Sequence, residues 1–208
     1  LAMLTTKWWG AKGVHLPVGF LDNPSAELRW RLLAHLNAWG ETANVRFVMG
    51  GQDPQVRIAR EGGRAGGYWS YLGTDVLSIG ADAPTLNLEG FTMDTPESEF
   101  LRVVRHEAGH TLGFPHEHMR RELVALIDPR KAIEYFGATQ GWTAEEVRRQ
   151  VLTPIEEATL WGTPRADPES IMAYQVPGAL TYTGEPILGG TDLSARDAAF
   201  AAQVYPLR

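Results

Sequence analysis

The sequence predicts an α+β protein: a mixed, twisted sheet with two long helices in the N-terminal half, then an irregular, helix-containing C-terminal half. Three observations lead there. Segments that alternate apolar and polar residues, the pattern of half-buried strands, fall in the first half of the chain. Two stretches of that half repeat apolar residues at helical spacing. Beyond Gly113 the chain becomes rich in prolines and turn signals, interrupted by shorter capped helices.

The elements follow in order. In "NPSAELRWRLLAHLNAW", Asn23 is the expected cap and Pro24 the first helical residue; Leu28, Leu32, Leu36 and Trp39 then form one apolar stripe over about four turns. His35 lies beside that stripe and reads as an ordinary helix residue. "NVRFVM", "QVRIAR", "GGYWSYLG" and "DVLSIG" are the strand candidates. The second long helix starts at "DTPESEF", with Thr95 or Asp94 as cap and Pro96 in the first turn. Glu97 there favours the positive end of the helix. It runs through Phe100, Val103, Val104, Ala108 and Thr111 to Gly113. A short helix is expected near 130–136. "TAEEVRRQVL" carries a Thr143/Glu146 capping box, and a last helix capped by Ser194 runs from about Ala195 to Tyr205. Residues 1–208 are expected to be one catalytic domain, divided into an N-terminal subdomain 1–113 and a C-terminal subdomain 114–208.

Composition narrows the function. With 44% hydrophobic and 21% charged residues, the 208-residue chain has the make-up of an ordinary globular protein. Its net charge of −6, with no block of Lys and Arg to offset it, argues against a nucleic-acid groove. The arginines at 57, 60, 64, 120, 121, 148 and 149 are assigned to solvated faces. The absence of cysteine excludes disulfides, thiolate metal sites and a cysteine nucleophile. No apolar run approaches the ~20 residues that span a bilayer, and no leader is read at Leu1.

Four of the six histidines crowd into "HEAGHTLGFPHEH", residues 106–118. His106 and His110 are four apart on a helix, so both imidazoles leave one face and can share an ion. Glu107 is rotated about a quarter turn from them, within reach of a water on that ion without being a ligand. Gly113 can take positive φ and end the helix in a sharp turn, Pro115 keeps it from resuming, and His116 can return to the same ion. Three imidazoles plus one water make an open zinc site, the catalytic kind. At this composition, the full H-E-x-x-H-x-x-G-x-x-H arises by chance on the order of once in 10⁴ to 10⁵ chains.

That long motif resembles the signature of the metzincins, zinc endopeptidases whose third histidine follows the glycine turn. The resemblance implies a turn with a methionine beneath the metal, and "SIMAY" (170–174) offers Met172. Within that group the chain resembles the astacins. Phe114, Glu117 and Arg120 match their HExxHxxGFxHExxR pattern, Tyr174 matches the tyrosine placed near the zinc, and "GYWSYLG", "LSIG" and "DLSARDAAFAAQVY" resemble further segments. Tyr68 stands where animal astacins have a cysteine, and "RRELVALIDP" replaces the usual extension after the motif, so the resemblance is that of a distant, bacterial relative.

The resemblance implies one catalytic Zn2+ held by His106, His110 and His116, joined at rest by Tyr174. Glu107 serves as general base, and the Tyr174 hydroxyl then moves to the developing oxyanion. Met172 is the structural residue of the turn. An edge strand within Gly66–Gly73 would pair with extended substrate, with Trp69, Ser70 and Tyr71 as the candidate binding residues. Glu117 is expected either to meet a processed N-terminus or to form a surface pair with Arg120 or Arg121. His118, too far along to share the ion, is expected to support the site from outside. No Lys or Arg occurs between Arg165 and Arg196, so a preference for acidic residues after the cut bond is expected to be weak. The expected protein is a secreted monomer acting on peptide or protein substrate, with neither nucleic acid nor membrane as partner. A zinc-containing but inactive peptide- or partner-binding domain is the alternative, and a zinc hydrolase of non-protein amides a third.

Overall fold

The computed structural model describes residues 1–207, so the last residue of the expected C-terminal subdomain lies outside it. Five strands form the main sheet, in the order β3-β2-β4-β6-β5. They are β2 (Val14–Phe20), β3 (Val45–Met49), β4 (Val56–Ala59), β5 (Tyr68–Ser70) and β6 (Leu86–Leu88). Four run parallel, and β5 closes the edge antiparallel to β6, with Trp69 opposite Asn87. A separate ribbon pairs β1 (Ala2–Leu4) with β7 (Leu160–Gly162).

Two helices pack on the sheet. In α1 (Ala26–Leu36) the buried stripe Leu28, Leu32 and Leu36 continues through a 3-10 turn to Trp39. The longer α2 spans residues 97–111: one α-helical turn, a π-helical segment Phe100–Val104, and the α-helical Arg105–Thr111. The Trp39 indole N–H donates to the Arg105 carbonyl at 2.8 Å, tying the two helices together. Beyond Gly113 come α3 (Pro129–Gln140), α4 (residues 144–152) and α5 (Ala195–Val204). The main core joins β2–β4, β6, α1 and α2 to Met172 and to Phe200, Val204 and Tyr205 at the C-terminal end. A second core gathers Phe136, Val147, Val151, Ala173 and Leu180 beneath the later half.

Several expectations are corrected. Ser25, not Asn23, caps α1: its hydroxyl accepts from the Leu28 N–H at 3.2 Å, while Asn23 binds Arg29 instead. Neither Thr95 nor Asp94 caps α2. Pro96 holds the cap position, and the Thr95 hydroxyl turns back to the Thr92 N–H. "DVLSIG" is a 3-10 segment within Gly73–Ser78, not a strand, because β5 already occupies the free edge of β6 and only Val76 turns inward. The helix expected at 130–136 is longer, with Asp128 as its cap and Gly141 as its left-handed end. Arg57 is buried rather than solvated, its guanidinium donating to the carbonyls of Ala83, Pro54 and Ile79. The Thr143/Glu146 capping box and the Ser194 cap stand as read, and Asp197 completes a second box at Ser194.

Candidate metal centre

α2 carries the site because it is buried on the sheet side and ends at a glycine. Gly113 has φ +98°, and its N–H donates to the His110 carbonyl while Phe114 reaches back to Gly109. A Cβ there would lie 2.8 Å from the Met3 sulfur and 3.0 Å from the Lys7 carbonyl, so both the conformation and the space call for glycine. The redirected chain brings His116 back until its Nε2 is 3.0 Å from the His110 Nε2.

The outer nitrogens fix the tautomers. His106 Nδ1–H donates to the Ile171 carbonyl at 2.6 Å, and His110 Nδ1–H donates to the Phe114 carbonyl at 2.8 Å. Each therefore keeps a lone pair on Nε2. The three histidines can each offer one nitrogen within 4.8 Å of the others. A tetrahedral zinc with bonds of about 2.0–2.1 Å needs ligand atoms about 3.3 Å apart, so the set fits zinc with modest adjustment. Burial holds all three imidazoles neutral: it lowers His106 to about 4 and His110 and His116 well below their usual range. Neutral nitrogen lone pairs without protons to displace are the state a metal needs.

Glu107 lies beside them, 4% exposed, with Oε2 lacking any hydrogen-bond partner. Burial pushes its carboxyl up to about 8, and the Arg102 guanidinium opposes that only in part. A cation among the three imidazoles would draw it back toward ionisation. The Tyr174 ring sits 4.3 Å from His116 and stacks more distantly on His106, while burial raises its phenol.

Met172 is fully buried below α2, where a Cβ on Gly109 would collide with its sulfur and crowd Trp39. The turn that holds it is tied to α5. Asp197 accepts from the Ser170 hydroxyl at 2.6 Å and from the Ile171 N–H at 3.0 Å, and Ile171 is the residue whose carbonyl orients His106. Sequence reasoning missed Asp197. Its signal was the acid three residues after the Ser194 cap.

Of the two expectations for Glu117, the structure forms the contact with the N-terminus and not the surface pair, and it buries that contact. The Glu117 Oε1 lies 3.0 Å from the Leu1 ammonium, with no side-chain exposure on either partner. It also accepts from the Asp167 N–H, with Arg120 at 3.5 Å, whereas Arg121 turns outward to Glu157. His118 is also fully buried, between Tyr174 and α4.

These groups open on a cleft of about 1280 Å³. β5 contributes Tyr68, Trp69 and Ser70, α2 contributes Arg102, and the C-terminal half contributes Trp142, Glu146, Gln150 and Gln175. Tyr71 lies outside that lining, 40% exposed, with Trp69 edge-on at 5.9 Å. Arg165 is not part of the cleft wall either.

A trio of neutral imidazoles, His110 buried and His106 and His116 partly so, with a carboxyl group at hand, has the make-up of a mononuclear zinc hydrolase centre. No protein-family model matches the chain. Its fold superposes on the structure of myroilysin with a TM-score of 0.91 at 30% identity, covering 100% of this chain and 99% of that one. A crystal structure of myroilysin matches with a TM-score of 0.70 at 31% identity, over 97% of this chain and 87% of that one. The hatching enzyme zinc-protease HCE-1 of Oryzias latipes shares the fold, with a TM-score of 0.62 at 18% identity over 98% of this chain and 96% of its own. Zinc metalloproteinase nas-27 of Caenorhabditis elegans is 30% identical over 89% of the chain, which spans 38% of that relative's length. The chain belongs to the astacin-like metzincins, zinc metalloendopeptidases that act on peptide or protein substrates with one catalytic zinc. Among the described residues no helix is long and apolar enough to cross a membrane.

Proposed function

We propose that His106, His110 and His116 hold the zinc and that Glu107 is the general base and acid of peptide-bond hydrolysis. The observation that carries this reading is the buried Glu107 carboxyl, one oxygen without a partner, beside three imidazoles that converge on one point, two of which, His106 and His110, keep an Nε2 lone pair because Nδ1 carries the proton. When bound, zinc supplies a Lewis acid that makes a water nucleophilic at neutral pH and polarises the scissile carbonyl. Glu107 takes the proton from that water and delivers it to the leaving amine, which departs neutral. The Tyr174 hydroxyl donates to the oxyanion that develops on the carbonyl; its raised phenol keeps that proton available. Met172 serves as the methionine of the metzincin turn, an apolar base under the metal rather than a ligand.

Substrate runs extended along β5, the last strand in the order of the sheet and part of the cleft lining, and its backbone is held by strand addition over Trp69 and Ser70. Acidic side chains after the cut bond gain little from the C-terminal wall, which offers glutamines and Glu146; of the two arginines that line the cleft, Arg102 is bound by Glu99 through two hydrogen bonds and Arg64 belongs to the N-terminal half. The protein works as a monomer in the extracellular space, as one catalytic domain with the cleft between residues 1–113 and 114–208, and it takes neither nucleic acid nor membrane as a partner.

Incubation of the zinc-loaded protein with a mixed peptide library, read by mass spectrometry, tests this. Cleavage inside peptide chains that stops on chelation and is lost in Glu107→Ala is expected, without enrichment of Asp or Glu after the cut. Binding without cleavage would overturn the assignment, and strong acidic enrichment would overturn the specificity.

A further inference from the structure

His118, the histidine of the 106–118 cluster that lies outside the zinc set, makes two contacts with Tyr174 and one with the end of α4. Its ring stacks on the Tyr174 ring at 4.3 Å and 15°. Its Nδ1 accepts the Tyr174 backbone N–H at 3.2 Å. Its Nε2 donates to the Gln150 carbonyl at 3.0 Å. Acceptance at Nδ1 fixes the proton on Nε2, so the ring can fill both bonds only in this tautomer and in this orientation. Gln150 lies in the last turn of α4, where a carbonyl has no partner within its own helix, so His118 also satisfies a helix end. The ring is 0% exposed, and the His116 ring lies 5.1 Å from it.

Tyr174 needs such a clamp. It stands in a segment without regular secondary structure, so no helix or strand fixes its backbone or its χ angles. We propose that His118 is a positioning residue for Tyr174, anchoring its backbone through Nδ1 and its ring by stacking, and is itself held by the end of α4. This rests on the reading that Tyr174 serves the metal site. It gives α4 a part in the chemistry: the helix sets the ring plane from which the phenol oxygen addresses the metal and the oxyanion. Partners of this outer kind are worth about 10–100-fold in activity or metal affinity where they have been removed in other metal sites.

The test compares His118→Phe, which keeps a stacking ring and loses both hydrogen bonds, with His118→Asn, whose side-chain carbonyl can replace Nδ1 as the acceptor for Tyr174. Tyr174→Phe is the control. Two quantities are read: kcat and KM on a cleaved peptide, and, in the Cu(II)-substituted proteins, the visible phenolate-to-copper charge-transfer absorption. For His118→Phe the expected result is a kcat about 10–100-fold lower with KM within a few-fold, and a weakened or shifted band although one equivalent of copper still binds. His118→Asn should recover part of both, and serves as the informative variant where His118→Phe does not fold. Wild-type kcat and an unchanged band in whichever variant folds, with both lost in Tyr174→Phe, would overturn the role of His118 alone. If Tyr174→Phe itself keeps kcat and the wild-type spectrum, the reading of Tyr174 fails and this inference with it.

Discussion

Glu107 and its neighbouring histidines are buried in opposite senses of charge, and this gives the metal-free protein a characteristic pH profile. Glu107 keeps its proton up to about 8 in the fold but releases it near 4.5 when unfolded. Between those values the native state binds more protons, so this group's contribution to stability falls as pH rises. His106 and His118 run the other way. They are lowered to about 4 from 6.5, the unfolded state binds more protons in between, and their contribution is lost as pH falls from 6.5 toward 4. In chelator-treated protein, Glu107→Gln should gain stability over wild type progressively from pH 5 to 8, reaching the order of a few kcal/mol. Urea unfolding at several pH values checks this, and a difference independent of pH would refute it. At this scale the zinc ligands were legible because helical spacing and one glycine set their geometry locally. For Glu117 only the family resemblance offered its partner, because the Leu1 ammonium lies 116 residues earlier in the chain and no local pattern carries that contact or decides between it and a surface pair.

Among the elements, α2 shows most clearly where local preference and packing disagree. Gly109 sits mid-helix, where Ala would ordinarily gain about 1 kcal/mol. Its Cβ, however, would overlap the Met172 sulfur and lie 3.0 Å from the Trp39 ring, both of them buried. Overpacking of that kind costs about 1–3 kcal/mol. Packing therefore wins, and Gly109→Ala is expected to lower thermal stability by about 1–2 kcal/mol and to weaken zinc binding by disturbing the turn that orients His106. A higher melting temperature with unchanged zinc affinity would contradict it. The capped helices α4 and α5 could be read from their own first turns. β2 could not: it contains Pro17 and Gly19, and its pairing with β4 begins only at Val18. β6, three residues long, gives too brief a pattern to detect, and the π-helical segments have no sequence signal at all.

Over the whole molecule, the chain's first residues close the structure around the site. The Leu1 ammonium pairs with Glu117, β1 pairs with β7, and the Leu4 N–H bonds the Gly113 carbonyl at the turn that returns His116. Burial raises the Glu117 carboxyl and the ammonium opposes that rise, so each ion depends on the other. Glu117→Gln leaves a buried ammonium without an anion and should cost about 3–5 kcal/mol. A denaturant midpoint equal to wild type in Glu117→Gln would refute the coupling. The alternation of strands and helices announced the sheet-first architecture. It did not announce that Met172 and α5 pack into the first core, since that joins segments far apart in sequence. The central claim, a single zinc acting with Glu107, is tested most directly by titrating zinc into metal-free wild type and Glu107→Gln while following cleavage of one peptide. Activity rising to a plateau at one equivalent in wild type, with equal zinc binding but a rate at least about 100-fold lower in Glu107→Gln, is the predicted result. Cleavage that needs no zinc, or that survives unchanged in Glu107→Gln, would contradict it.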